Sequence, residues 1–62
     1  MEFKLTITFF DGEVSECPFE ADSRDEAIDT AMDVEAEEAL LVGKTVSSAV
    51  ITDAAGAVIP WR

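Results

Sequence analysis

The sequence predicts an α+β fold in the order β-β-α-β-β, a four-stranded antiparallel sheet with one helix packed on one face. Three observations predict it. The first residues alternate apolar and polar with period two, the strand signature. Two short turn signals, "DG" and "DAAG", each sit between apolar-rich stretches. Between the two hairpins lies one long segment that opens with a helix cap and closes at a glycine.

In "EFKLTITFF", Phe3, Leu5, Ile7 and Phe9 fall on one side and Glu2, Lys4, Thr6 and Thr8 on the other, as in a half-buried strand. The second strand is "EVSECPFEA", and the turn chemistry decides its register. A two-residue Asp11-Gly12 loop sets Glu16 against Ile7 on the core face, which is costly. A three-residue loop of Phe10, Asp11 and a left-handed Gly12 instead brings Ser15, Cys17 and Phe19 across from Ile7, Leu5 and Phe3. The longer loop is preferred.

Ser23 and Glu26 form a capping box, so a helix starts here. Ala27, Ile28, Ala31, Met32 and Val34 cover one side of it, and Asp25, Glu26, Asp29 and Asp33 the other. Further on, Glu35 and Glu38 fall within the apolar arc of a straight helix. Either the helix kinks near residues 34–37 or these acids lie at the border of the buried stripe. Gly43 closes the element. "TVSSAVIT" and "AVIPW" then make a second hairpin around a three-residue Ala54-Ala55-Gly56 loop, with Ala49 and Ile51 facing Trp61 and Ile59. Pro60 cannot donate to a ladder, which puts the last strand at a sheet edge. Keeping every neighbour antiparallel gives the strand order two-one-three-four. The expected core is Phe3, Leu5, Ile7, Cys17, Phe19, Ile28, Met32, Ile51 and Trp61.

Sixty-two residues make a single domain, residues 1–62, of modest stability, because so short a chain buries only ~60% of its unfolded surface. An apolar content of 48% is that of a folded chain rather than a disordered one. Fourteen acids against four bases give a formal charge of −10, so nucleic acid and anionic membranes are excluded as partners. A basic protein surface is the natural counterpart. Cys17 is the lone cysteine, consistent with a reducing cytoplasm. The longest apolar run, residues 39–42, is far short of a membrane span, and the strand-like start is not a secretory signal.

No enzymatic role is expected. Histidine and tyrosine are both absent, which removes the commonest general base and one alternative. Cys17 alternates onto the core face and reads as a structural thiol. No pattern calls for a cofactor. Asp25, Asp29 and Asp33 could share a divalent ion with waters, but solvated carboxylates are the simpler reading, since specific calcium sites wrap the ion in six to eight oxygens.

Residues 22–41 hold eight acids and one base. Asp25, Asp29 and Asp33 line up about 6 Å apart along the helix axis, with Glu26 and Glu37 beside them. Phosphates on a DNA strand advance ~3.4 Å per nucleotide, so the ridge matches a phosphate backbone in sign and in order of spacing. These five residues are the candidate partner-binding site, fitted to a Lys/Arg-lined groove that normally holds nucleic acid. Two readings need no partner. Acids in the first turn favour the helix dipole, though Asp33, Glu35, Glu37 and Glu38 lie beyond its reach. A salt-rich cytoplasm would also make its proteins acidic and lysine-poor, leaving a small structural or dimerisation module. Val14, Pro18, Val50, Val58 and Pro60 on the outer sheet face, or an edge strand, offer a route to a homodimer.

At "CPFEADSRDEAIDTA" the chain resembles the gene-two inhibitors of host RNA polymerase from T-seven-like coliphages. Pro18, Ala21, Asp25, Glu26, Ala27 and Ala31 fall at the same relative spacing. The resemblance covers about fifteen residues and implies polymerase inhibition through Asp25, Glu26 and Asp29. Those inhibitors use arginines in the strand after the helix, whereas "TVSSAVIT" has no base. In size, acidity and β-β-α-β-β plan the chain is also similar to small phage-encoded inhibitors of bacterial defence, including DNA-mimicking anti-CRISPR proteins. That likeness implies a non-enzymatic inhibitor, encoded by a phage or mobile element and acting in the host cytoplasm on a bacterial nucleic-acid-handling complex.

Overall fold

The computed structural model describes residues 1–61. Strands β1 (Glu2–Phe9) and β2 (Val14–Glu20) are followed by helix α1 (Arg24–Val42), then β3 (Val46–Asp53) and β4 (Val58–Ile59). The four strands form one antiparallel sheet in the order β2-β1-β3-β4, with the helix on one face, as expected from the sequence.

Both hairpins close through three-residue loops. In the first, the Phe9 N–H donates to the Glu13 carbonyl (2.9 Å) and the Gly12 N–H to the Phe9 carbonyl (3.0 Å). In the second, Asp53 donates to Ala57 (3.0 Å) and Gly56 to Asp53 (2.9 Å). Each loop needs a left-handed residue before the returning strand, and Gly12 (φ 90°) and Gly56 (φ 84°) supply it. The registers follow. Phe3, Leu5 and Ile7 face Phe19, Cys17 and Ser15, and Ile51 faces Ile59.

Helix α1 begins at Ser23, whose hydroxyl accepts from the Glu26 N–H (3.2 Å), while the Glu26 carboxylate reaches back to the Asp22 N–H (3.4 Å). It runs unbroken to Val42 and stops at Gly43, left-handed at φ 66°, whose N–H returns to the Ala39 carbonyl (2.9 Å). Of the two sequence-level alternatives, the border position is the correct one. Glu35 and Glu38 are half-buried at the edge of the packed stripe, and Glu38 accepts a hydrogen bond from the Ser15 hydroxyl (3.1 Å).

The core comes mainly from the sheet. Phe3, Leu5, Ile7, Phe9, Ala49, Ile51 and Ile59 are buried, joined by Ala21 and by Ala27 and Ala31 from the helix. Cys17, Phe19, Ile28 and Trp61 pack against this cluster half-buried, and the rings of Phe3 and Phe19 stack at 5.8 Å. Met32 does not join the core, and its expected place there is corrected: it is 56% exposed. The two alanines form the contact stripe. Small side chains let the helix backbone approach the sheet, and the stripe they define continues through Val34 and Glu38. Met32 lies about 100° around the helix from Ala31 and so turns away from the sheet.

Candidate partner-binding surface

The sequence of α1 places its acids by helical geometry. Asp25, Asp29, Asp33 and Glu37 recur every fourth residue and make one row about 18 Å long, with Glu26 alongside. All five are exposed, on the side of α1 turned away from the sheet. The helix carries seven acids and one base, Arg24, at its first position. Like charges four residues apart destabilise a helix by roughly 0.2–0.5 kcal/mol per pair. No base stands in the last turn, where the helix dipole would favour one. The row is therefore unfavourable to the fold that displays it.

The two lysines do not neutralise it. Lys4 pairs with Glu16 across the outer sheet face (2.8 Å), and Lys44 bridges Asp11 (2.8 Å) and Glu13 (2.9 Å) at the first hairpin. Among the described residues no salt bridge reaches the acid row. The pairings perturb the groups they join. The hydrogen bond from Lys44 and then the Glu13 N–H hold the Asp11 carboxyl below its ordinary pKa, and Lys4 does the same for Glu16. Asp11 and then Glu13 raise the Lys44 ammonium. The Lys44 ammonium also stands 5.9 Å from the centre of the Phe9 ring.

Elsewhere the surface offers little chemistry. Cys17 faces inward, half-buried, with its Sγ 3.8 Å from the Ser15 hydroxyl. Among the described residues no three Asp, Glu or Cys side chains converge as metal ligands would. On the outer sheet face, Val14, Val50, Val58, Pro18 and Pro60 are exposed. Thr8 lies between Val14 and Ser48, Thr6 between Glu16 and Val50, and Lys4 between Pro18 and Thr52, so threonines and the Lys4–Glu16 pair interrupt the valines. The β2 edge is also blunted. Met1 and Ala21 exchange hydrogen bonds, so alternation turns the backbone of residues 14, 16, 18 and 20 outward, where Pro18 has no N–H to offer.

One feature escaped the sequence reading. Leu40 is 84% exposed and Leu41 75%, and Leu40 with Met32 and Ala36 lines the outer side of α1 towards its C-terminal end. The run "ALLV" at residues 39–42 was the available signal, since adjacent leucines point about 100° apart on a helix and one narrow contact stripe cannot bury both. Beside this row an open trough is lined by Met32, Glu35, Ala36, Ala39, Val46 and Trp61. It exists because β4 has only two residues. Past Ile59 the ladder ends at Pro60, and the Trp61 indole N–H takes the Ala49 carbonyl (3.1 Å) that a longer strand would have used.

No helix of the described chain is long and apolar enough to cross a membrane. The chain matches no family model, no curated protein and no solved structure, so the reading of its surface rests on its own geometry.

Proposed function

We propose that this protein is a non-enzymatic acidic inhibitor, encoded by a phage or mobile element. It binds a basic, nucleic-acid-handling surface of a bacterial defence complex in the host cytoplasm, in the manner of a DNA mimic. The observation that carries this reading is the row Asp25, Asp29, Asp33 and Glu37, with Glu26. It is a rigid line of exposed carboxylates on one unbroken helix, and among the described residues no salt bridge reaches it. Such a row would compete for Lys and Arg side chains that otherwise hold phosphates, and its field would speed the encounter. Inhibition of host RNA polymerase is the alternative target within the same mechanism, suggested by the spacing of Asp25, Glu26 and Asp29.

The test is capture of partners from a bacterial lysate at low and high salt, followed by competition with DNA or RNA. A nucleic-acid-binding complex retained at low salt, displaced by DNA and lost in the Asp25→Asn/Asp29→Asn/Asp33→Asn variant is the expected result. Capture that the triple variant leaves unchanged overturns the groove reading. Folding only in molar salt would instead favour a structural module adapted to brine.

A further inference from the structure

The acid row has a neighbour of opposite character. Ile28, Met32, Ala36 and Leu40 also recur every fourth residue, one ridge over from Asp25, Asp29, Asp33 and Glu37. Met32 therefore stands between Asp29 and Asp33 on one side and the trough floored by Val46 and Trp61 on the other. Leu40 extends the same ridge beside Glu37. The result is an apolar row, 56% exposed at Met32 and 84% at Leu40, with the acid row along one flank and, along the other, a hollow lined by Val46, Trp61 and Glu35.

Folding accounts for Ile28, which packs against the core, but not for Met32, Ala36 and Leu40. The sheet is already contacted through Ala27 and Ala31, and Met32 and Leu40 remain largely exposed beside it. Mimicry of a phosphate backbone does not account for it either, because such a backbone presents no large aliphatic groups to copy. A second copy is a poor occupant. Packing two such helices along this row brings carboxylates beside carboxylates, on chains that each carry −10. Anionic lipid is disfavoured for the same reason. The charge pattern selects a cationic protein segment.

We infer that the Met32–Ala36–Leu40 row and its adjoining trough receive an amphipathic helix of the partner. That helix carries apolar side chains at four-residue spacing and Lys or Arg along one border. Its apolar side chains fill the space beside Val46 and Trp61, and its bases meet Asp29, Asp33 and Glu37. The acids then steer the encounter and set its orientation, while the apolar row holds the complex once formed. This inference rests on the reading of α1 as the partner-facing element, but it makes a separate claim about what anchors the partner.

A synthetic helical peptide of about 18 residues, five turns, is a sufficient probe. It carries leucines on one face bordered by lysines, and a scrambled peptide of the same composition is the control. Trp61, the only tryptophan, reports from the trough by fluorescence, and amide chemical shifts map the rest. The amphipathic peptide is expected to shift Met32, Ala36, Leu40, Val46 and Trp61, and the scrambled one to bind more weakly. Met32→Ser/Leu40→Ser, at exposed positions that leave the core intact, should weaken binding about tenfold or more at low and high salt alike. Asp29→Asn/Asp33→Asn should weaken it chiefly at low salt.

Failure of the peptide to bind at low salt overturns the inference, as does equal binding of the scrambled peptide or an unaltered affinity in the serine variant. Sedimentation of the wild-type protein covers the other occupant: a dimer that Leu40→Ser dissociates would assign the row to a second copy and overturn it too. The two readings fail separately. Lysate capture lost in the Asp→Asn variant but kept in the serine variant preserves the groove reading and removes this one. The reverse pattern removes the groove reading.

Discussion

In the sheet, Phe3, Leu5, Ile7, Phe9, Ile51 and Ile59 are all at most 5% exposed, whereas α1 buries only Ala27 and Ala31 and leaves Met32, Leu40 and Leu41 in solvent. The sheet spends its large apolar residues on folding. The helix makes its closest contact through alanines, and presents Met32, Leu40 and five of its seven acids outward. The charges divide in the same way. Lys4 and Lys44 are tied to acids of the first hairpin, and the acid row of α1 has no such partner among the described residues. Residues that a fold does not need, and that oppose it through repulsion, are where a binding function is to be sought.

The largest test of this contrast is a pair of truncations. Leu5 is fully buried at the centre of the sheet, so Leu5→Ala should destabilise by about 2–5 kcal/mol, enough to unfold much of so small a domain. Met32→Ala should change stability by only about 0.5 kcal/mol, as surface substitutions do. Urea denaturation of the two variants checks both. Equal losses would mean that Met32 packs into the core after all.

Next in size is the helix cap. Ser23→Ala removes the oxygen that accepts from the Glu26 N–H and should cost about 1 kcal/mol. Ser23→Gly should cost only a few tenths, because the extended backbone of the cap position is kept. A negligible effect of Ser23→Ala in thermal melts would show that water satisfies the Glu26 N–H without the serine.

The same division explains how far the sequence could be read. The hairpin registers were legible because each depends on a loop with a left-handed glycine and on strict alternation, and both signals are local. Helix ends were legible for the same reason, through Ser23 and Gly43. The rotation of α1 about its axis was not. A wheel of side chains centres on the largest apolar arc, Ile28 and Met32 included, but the helix seats itself where its backbone comes closest to the sheet, on Ala27 and Ala31. That choice depends on the partner surface, which no local pattern contains. The acid row was visible because every fourth residue is acidic from Asp25 to Glu37. The apolar row beside it was hidden, because apolar residues on a helix are assigned to a core by default.

Removing charge from the row should act in the opposite sense to removing bulk from the sheet. Asp25→Asn/Asp29→Asn/Asp33→Asn relieves three like-charge contacts, including that of Asp33 with Glu37, each worth roughly 0.2–0.5 kcal/mol. Asp25 lies in the first turn and favours the dipole, so part of the gain is returned. A rise in stability of up to about 1 kcal/mol is expected, and added NaCl should stabilise the wild type more than the variant. A loss of stability would show that the row supports the helix and would remove the main reason for assigning it to a partner.

The smallest expected effect lies at the first hairpin, where charge is paired rather than displayed. Lys44 holds the Asp11 carboxyl below its ordinary value of 3.8, so this pairing favours the native state above that pH and is lost as pH falls through the lowered value. Asp11→Asn keeps an oxygen for the Glu13 N–H but removes the charge that faces Lys44. The melting temperature of Asp11→Asn should therefore lie slightly below that of the wild type at neutral pH, and the gap should close as pH drops well below 3.8. Because Glu13 also contacts Lys44 and all three groups are solvated, the neutral-pH gap should be small. A higher melting temperature for Asp11→Asn at neutral pH would mean that relief of the overall −10 charge outweighs the pairing, and the hairpin would then resemble the helix rather than contrast with it.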